Sequence, residues 1–259
     1  MKYNLREMTF LIPLRVDSLV RLENILMSIE YLLRHFDTNI FVLQADNYDS
    51  GIVSKFLNKR VKYRFMEDYD NVFYRTKYLN IMTTETSTPF IAIWDADVIV
   101  PYQQIIDSFQ KLHEGFEIAY PYDGHFYDTS DIIREVFFKS RKLQILEQHQ
   151  SKMGLTYGDK MIGGAIFVNR DAYVAAGMEC EDFYGWGPED WERFERWRAF
   201  NYKIYRAHGN LYHLTHSRGI NSTHRSMEHF IDTNKRCRLN MLSNNEDLRN
   251  NINTIKKNG

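Results

Sequence analysis

The segment IAIWDADVIVP, Ile91 to Pro101, constrains this chain more than any other stretch. An apolar, strand-like run ends in two carboxylates one residue apart, Asp95 and Asp97, and a second apolar run and a proline follow at once. Carboxylates at the end of a core strand are too costly to bury unless something positive meets them. A divalent cation carrying a phosphate-bearing substrate meets that need, because hard oxygen ligands suit Mg²⁺ and Mn²⁺. A strand running into an aspartate-rich turn would leave the same trace. The tripeptide alone does not separate these two readings.

The surrounding pattern alternates short apolar runs with helical periodicity. Met8–Leu14, stopped by Pro13, reads as a first strand, and Ser18 to Phe36 carries Leu19, Leu22, Ile25, Leu26, Ile29, Leu32 and Leu33 at helical spacing. Asp17 or Ser18 is placed to cap that helix. Strands are expected at Asn39–Asp46 and Val61–Met66, with a weak helix at Ser50–Asn58 between them and a helix at Phe73–Thr83 before the Asp95 strand. Such alternation predicts an α/β domain with a largely parallel, doubly wound sheet, in which ligands bind at the carboxyl ends of the strands. Three of these strands end in Pro-x-Arg, Gln-Ala-Asp and Asp-Ala-Asp, so their polar clusters should line one crevice.

The second half reads differently. Residues 111–160 look helical and amphipathic, Met161–Tyr173 reads as a strand with a glycine pair followed by a helix start, and Phe183–Phe200 is a Gly/aromatic loop feeding an amphipathic helix. The last 20 or so residues are polar and asparagine-rich, so a surface helix or fraying is expected. No internal repeat or Pro/Gly/Ser linker divides the chain, and 259 residues suit one continuous domain.

Bulk composition excludes several classes. Apolar residues make up 44% of the chain, enough for a packed core, so disorder is not expected. Lysine plus arginine (33) nearly balance aspartate plus glutamate (34), leaving no global field for nucleic acid. Any phosphate chemistry must come from basic groups placed locally. Cys180 and Cys237 give neither a disulfide framework nor a cysteine metal site. No signal-peptide h-region and no run of roughly 18–20 apolar residues is found, so a soluble, cytoplasmic protein is expected.

Two further constellations could carry chemistry. GWGPED, Gly185 to Asp190, sets Glu189 and Asp190 beside Trp186 and Pro188. A helix start would explain the acids through the helix dipole, but not the Gly-Trp-Gly ahead of them. Glycines let a backbone approach a ligand, and an indole face stacks on a sugar ring. LYHLTHSRG, Leu211 to Gly219, sets His213 and His216 three apart; on a straight strand they face opposite sides, so both reach one metal only if the chain turns.

In order, IPLR, FYRTKYLN, WDADVIVP, IGGAIFVNRDAY, YGWGPEDWE and LTHSR, spread from Ile12 to Arg218, resemble the β-1,4-galactosyltransferase-type branch of the inverting GT-A glycosyltransferases and its bacterial chain-extending relatives. The resemblance implies a GT-A fold: a Rossmann-like, mixed but mostly parallel sheet flanked by helices in a single domain. Its catalytic unit would span 1–240, with a nucleotide-binding half of about 1–110, an acceptor half of about 111–240 and a polar tail at 241–259. It also implies that Pro13, Arg15, Phe73 and Arg75 hold the uridine and diphosphate of a UDP-sugar, with Asp46 near the base or ribose. Lys77 is grouped with them, although a helix turns it away from Arg75. Asp95 would face the ribose or donor sugar, Gly163 and Gly164 would let the backbone approach the sugars, and Trp186 would wall the sugar pocket. Asp97, His213 and His216 would hold Mn²⁺, with Asp190 as general base and Glu189 on sugar hydroxyls. The loop from Ser217 to Arg225 would close over the donor.

Two departures from the family stand out. His213 replaces a methionine common in animal members, which makes the ligand set harder and opens it to Mg²⁺ or Co²⁺. Pro188 replaces a glycine and stiffens the acidic loop. The implied partners are a UDP-sugar and a glycan acceptor, with no nucleic acid and no transmembrane segment, and with room for peripheral contact at the inner membrane during bacterial surface-polysaccharide synthesis. A nucleotidyltransferase would use similar carboxylates but leaves Gly-Trp-Gly unexplained. An inactive sugar-nucleotide-binding subunit would have no need of Asp97, Asp190 and His216.

Overall fold

A continuous apolar run tends to become a strand buried on both faces, and the first half of this chain supplies three of them. The computed structural model describes residues 2–156, 158, 160–185, 187–217, 219, 224, 226–242 and 246–247. In chain order, β1 (Tyr3–Leu14), α1 (Leu19–His35), β2 (Phe36–Asp46), α2 (Ile52–Phe56), β3 (Lys62–Glu67), α3 (Arg75–Thr84) and β4 (Phe90–Trp94) form the alternating half. The second half comprises β5 (Val98–Ile99), α4 (Tyr102–His113), β6 (Ile118–Tyr120), β7 (Phe126–Asp128), α5 (Asp131–Ser140), α6 (Leu143–Gln148) and β8 (Gly154–Leu155). It ends with β9 (Ala165–Asn169), α7 (Arg170–Ala175), α8 (Glu189–Ala199), β10 (Ile204–Arg206), β11 (Leu211–His213) and α9 (Met227–Leu242).

Among the described residues, the main sheet has seven strands in the order β10-β6-β9-β4-β1-β2-β3. β4, β1, β2 and β3 run parallel, and β9 is inserted antiparallel between β4 and β6. Phe10, Leu11, Ile12, Val42, Leu43, Ile91 and Ile93 are fully buried at its centre. α1 covers the sheet with Leu22, Ile25, Ile29 and Leu32, and starts where the Ser18 hydroxyl accepts from the Arg21 N–H. Because β1, β2 and β4 are parallel neighbours, their polar carboxyl ends emerge side by side, as the alternating pattern predicts.

A second sheet, β5-β11-β7-β8, packs beside the first. It has its own small core of Met27, Tyr31, Ile99, Phe137, Leu146, Tyr212 and Leu214. The helical reading of 111–160 is corrected by three strands that interrupt the helices, β6 in the main sheet and β7 and β8 in the second. Three-residue strands such as Ile118–Tyr120 show no usable periodicity, and their pairing with β9 and β10 decides their form. Most of the expected tail at 241–259 and most of the Ser217–Arg225 loop lie outside the described residues, and α9 runs two residues into that tail, to Leu242.

Candidate active site

The carboxyl ends of β1 and β4, the start of α3, the start of α8 and the end of β11 enclose one open cleft. Pro13, Arg15, Phe73, Arg75, Asp95, Asp97, Gly164, Glu189, Asp190, His213 and His216 all line it. Residues up to 203 positions apart in sequence therefore meet on one wall, brought there by the sheet order.

Asp97 sits just beyond β4 and is 5% exposed. The next residue, Val98, pairs antiparallel with His213, and the Leu214 N–H donates to the Asp97 carbonyl at 2.7 Å. β11 ends there and the chain turns. The Asn24 amide donates to the Leu214 carbonyl at 2.7 Å, and the Thr215 N–H donates to the Thr129 hydroxyl at 3.0 Å. That turn brings both imidazoles to one carboxylate: His213 Nε2 lies 3.6 Å and His216 Nε2 3.0 Å from the Asp97 oxygens. One ligand atom from each of the three residues falls within 4.8 Å of the others, a spacing that one ion can bridge.

The outer nitrogens are anchored too. His213 Nδ1 meets Asp128 Oδ1 at 2.8 Å, and His216 Nδ1 meets the Ser217 carbonyl at 2.9 Å. Each Nε2 is thereby turned inward, the arrangement by which a carboxylate or carbonyl orients a metal-binding histidine. Burial opposes the charged form of Asp97, but His213 and His216 outweigh it and hold this carboxyl well below its ordinary range. Burial also opposes charge on His213, yet Asp97 and Asp128 raise its imidazole to about 9. Metal ligands bind in their deprotonated form, so a divalent cation taken up here would release the imidazole proton. The donor set fits a borderline divalent ion such as Mn²⁺.

The opposite wall is a network of buried charges. Arg75 Nη2 donates to Asp95 Oδ1 at 2.8 Å. Desolvation, countered by Arg75, pushes the Asp95 carboxyl up. Asp190, in the first turn of α8, is held through Oδ1 by Arg193 Nη2, while its Oδ2 faces Gly163. A Cβ on Gly163 would stand 2.3 Å from that oxygen, so only glycine leaves room for the acid. Gly164 adopts φ +81°, and a Cβ there would press on the Phe126 ring at 3.0 Å. Among the described residues, Glu189 Oε2 has no hydrogen-bond partner. Desolvation and the neighbouring Asp190 push the Glu189 carboxyl up to about 8.

The remaining residues named from the sequence fall in different places. Arg15 commits its donors to the Ala45 carbonyl (2.9 Å), the Asp70 carbonyl (2.7 Å) and the Asp68 carboxylate, so it braces the loop after β3. Asp46 accepts from the Val16 N–H at 3.1 Å and from Gln44 at 2.8 Å, and lines an adjoining cleft with Asp17, Asn47 and Asp68. Lys77 is not brought into either cleft: it is exposed, with its ammonium 5.8 Å from the Tyr74 ring centre. The helix turns it away from Arg75, as the spacing implies. Trp186 lies outside the described residues.

The sequence reading missed Asp128, Arg193, Glu179 and Arg21. Asp128 is 85 positions from His213 and meets it only through the β7–β11 register. Arg193 looks like any charge on an amphipathic helix, yet its side chain is 0% exposed and donates to Glu179 at 2.6 and 2.8 Å. The one available signal was the density of alternating acids and arginines in EDWERFERWR, which exceeds what a solvated helix face requires.

Comparison with known proteins agrees with this architecture. A protein-family model described as the N-terminal domain of galactosyltransferase matches residues 147–218, the stretch that carries Gly163, Asp190, His213 and His216. No curated protein sequence matches significantly. Glucosyl-3-phosphoglycerate synthase from Mycobacterium tuberculosis, solved with Mn²⁺, UDP and phosphoglyceric acid, superposes with a TM-score of 0.52 at 13% identity, over 92% of this chain and 78% of that one. Drosophila β1,4-galactosyltransferase 7, solved as a mutant with manganese, UDP-Gal and xylobiose, gives 0.50 at 16% identity, over 85% of this chain and 69% of that one. A mixed, mainly parallel sheet, a cleft at its carboxyl edge and a galactosyltransferase-type segment folded into that cleft mark this chain as one with the fold of the GT-A glycosyltransferases.

Proposed function

We propose that the protein is a metal-dependent, inverting glycosyltransferase that moves a hexose or N-acetylhexosamine from a UDP-sugar to a hydroxyl of a glycan acceptor, giving a β-linkage. The observation that carries this reading is the pairing, across one cleft, of the Asp97–His213–His216 cluster with the Asp190 carboxylate. The two solved relatives bind manganese and a uridine nucleotide, and the donor set here suits the same ion. The imidazole pair extends tolerance to Mg²⁺ or Co²⁺.

Asp97, His213 and His216 would hold the ion, which when bound neutralises the charge growing on a departing diphosphate. Arg75, fixed by Asp95, presents a second positive group to the same leaving group. Asp190 takes the proton of the attacking hydroxyl as its oxygen bonds to the anomeric carbon and the carbon–diphosphate bond breaks on the opposite face. One displacement inverts the centre. Arg193 fixes the Asp190 rotamer, and Gly163 leaves Oδ2 space to reach the acceptor. Glu189, with its carboxyl pushed up to about 8, is suited to donate a hydrogen bond to a sugar oxygen near neutral pH.

The catalytic unit covers residues 1–240, and the setting we infer is bacterial surface-polysaccharide synthesis in the cytoplasm, at the membrane face. No described helix is long and apolar enough to cross a membrane. Calorimetry of UDP with the purified protein, with Mn²⁺ and then with the metal chelated, tests the reading. Binding that disappears on chelation supports it; no binding in either condition overturns it.

A further inference from the structure

Arg21 occupies a place that neither the motifs nor the mechanism explain. It stands in the first turn of α1, which lies between β1 and β2, and it lines the cleft beside the metal cluster. Its side chain is 16% exposed. Nη1 lies 3.6 Å from Asp97 Oδ2, Nη2 lies 3.4 Å from His216 Nδ1, and Nε lies 3.3 Å from Asp17 Oδ1.

All three contacts are longer than the roughly 2.7–3.2 Å of a well-made N–H···O bond. Arg193 and Arg75, by contrast, meet their carboxylates at 2.6 and 2.8 Å. A guanidinium has five donors and keeps its charge at any accessible pH. Arg21 is therefore a largely desolvated cation held by long contacts to Asp97, His216 and Asp17 rather than by well-made hydrogen bonds. A dianionic group placed between it and an ion on Asp97 would supply them.

We propose that Arg21 couples the two halves of the donor site, opposing metal binding alone and favouring it once a diphosphate is present. The proposal rests on the metal-and-nucleotide reading above. Its physics is a matter of sign. With no anion, a divalent ion at Asp97 must share that carboxylate with a fixed positive charge and is repelled by it. With a diphosphate in place, ion and guanidinium both bind the same anion and the repulsion is offset. Metal and diphosphate then bind together more tightly than either binds alone, and by linkage each raises the other's affinity by the same factor.

Mn²⁺ titrated into the full-length protein, with free Mn²⁺ read by electron paramagnetic resonance, tests this without any turnover assay. Titrations are run without nucleotide, with saturating UDP, and with uridine, which lacks the diphosphate. Wild type should bind Mn²⁺ more tightly with UDP than alone, and uridine should have no such effect. Arg21→Gln should bind Mn²⁺ alone more tightly by roughly tenfold, and the enhancement by UDP should shrink by a similar factor. Arg21→Lys keeps the charge and should retain most of the enhancement, which separates charge from a folding defect. Unchanged Mn²⁺ affinity and unchanged enhancement in Arg21→Gln would overturn this inference alone. Failure of wild type to bind Mn²⁺ under any condition would overturn the metal reading, and this inference with it.

Discussion

Replacing Arg193 by methionine removes one charge from the most deeply buried ion pair in the site. The side chains of Arg193 and Glu179 are 0% and 1% exposed, and the guanidinium gives Glu179 two hydrogen bonds. Methionine fills similar volume but leaves the Glu179 carboxylate in the core, with the Tyr173 hydroxyl at 2.7 Å as its closest remaining donor. Breaking one side of a buried pair typically costs about 3–5 kcal/mol. Tyr173, together with the nearby Arg75, should keep the loss near the lower end. For a chain of this size, about 3 kcal/mol corresponds to a Tm lower by roughly 6–12 °C.

The pH dependence tests the cause. Burial opposes the Glu179 carboxylate, but Arg193 and Arg75 outweigh it and lower its pKa below the ordinary 4.5. A group depressed in the folded state contributes stability above its unfolded pKa and loses it as pH falls through the folded value. Wild type should therefore weaken below about pH 4.5. In the variant, protonating Glu179 relieves the buried charge, so the gap between the two proteins should narrow as pH falls from 7 toward 4. Adding Glu179→Gln should recover part of the loss, because a neutral pair leaves no uncompensated charge. Denaturant melts of the three variants at several pH values give all these quantities. A gap under 1 kcal/mol at pH 7, or one that does not change with pH, refutes the reasoning.

Three other outcomes follow from the same geometry. Asp190→Asn should abolish sugar transfer while leaving UDP binding nearly intact in calorimetry; retained turnover rules out Asp190 as the base. Asp128→Asn leaves the three metal-facing side chains in place but loosens His213, so Mn²⁺ affinity should fall about 10–100-fold, and an unchanged titration contradicts a role for that contact. Gly163→Ala puts a methyl group where Asp190 Oδ2 stands, 2.3 Å from its Cβ, so turnover should drop sharply while stability falls by only about 1–3 kcal/mol. Full activity in that variant shows that Asp190 works from another position.

The parts of this molecule that can be read from sequence are those specified by local pattern. Ile91–Trp94 and Ile40–Leu43 are uninterrupted apolar runs, and a strand covered on both faces buries all of them. α1 declares itself through Leu22, Ile25, Ile29 and Leu32, with Ser18 as its cap. The cleft was legible for a similar reason, since parallel neighbours must end on the same side. Asp128 was not legible, because nothing near it shows that a short strand will pair it with His213. Arg193 and Arg21 were missed because a charge on a helix reads as solvated until tertiary packing covers it. The three-residue strands β6 and β7 read as helix in the sequence because so short a run has no period of its own.

The small second sheet gives the site a mechanical character of its own. Asp97 precedes β5 and His213 ends β11, so two of the proposed ligands hang on a two-residue antiparallel pairing that leans partly on the small second core, through Ile99 and Tyr212, and partly on the main one, through Val98 and Leu211. Regions with few strand pairs and a small core are the first to open transiently under native conditions. An ion gripping both strands ties this lobe to the end of β4 and adds its binding free energy to the closed form. The amides of Tyr127, Asp128, Tyr212 and His213 should therefore exchange faster with deuterium when the ion is stripped away, while those of β1 and β2 keep their protection. Ion occupancy would then act as a latch on one lobe, setting how often the cleft breathes.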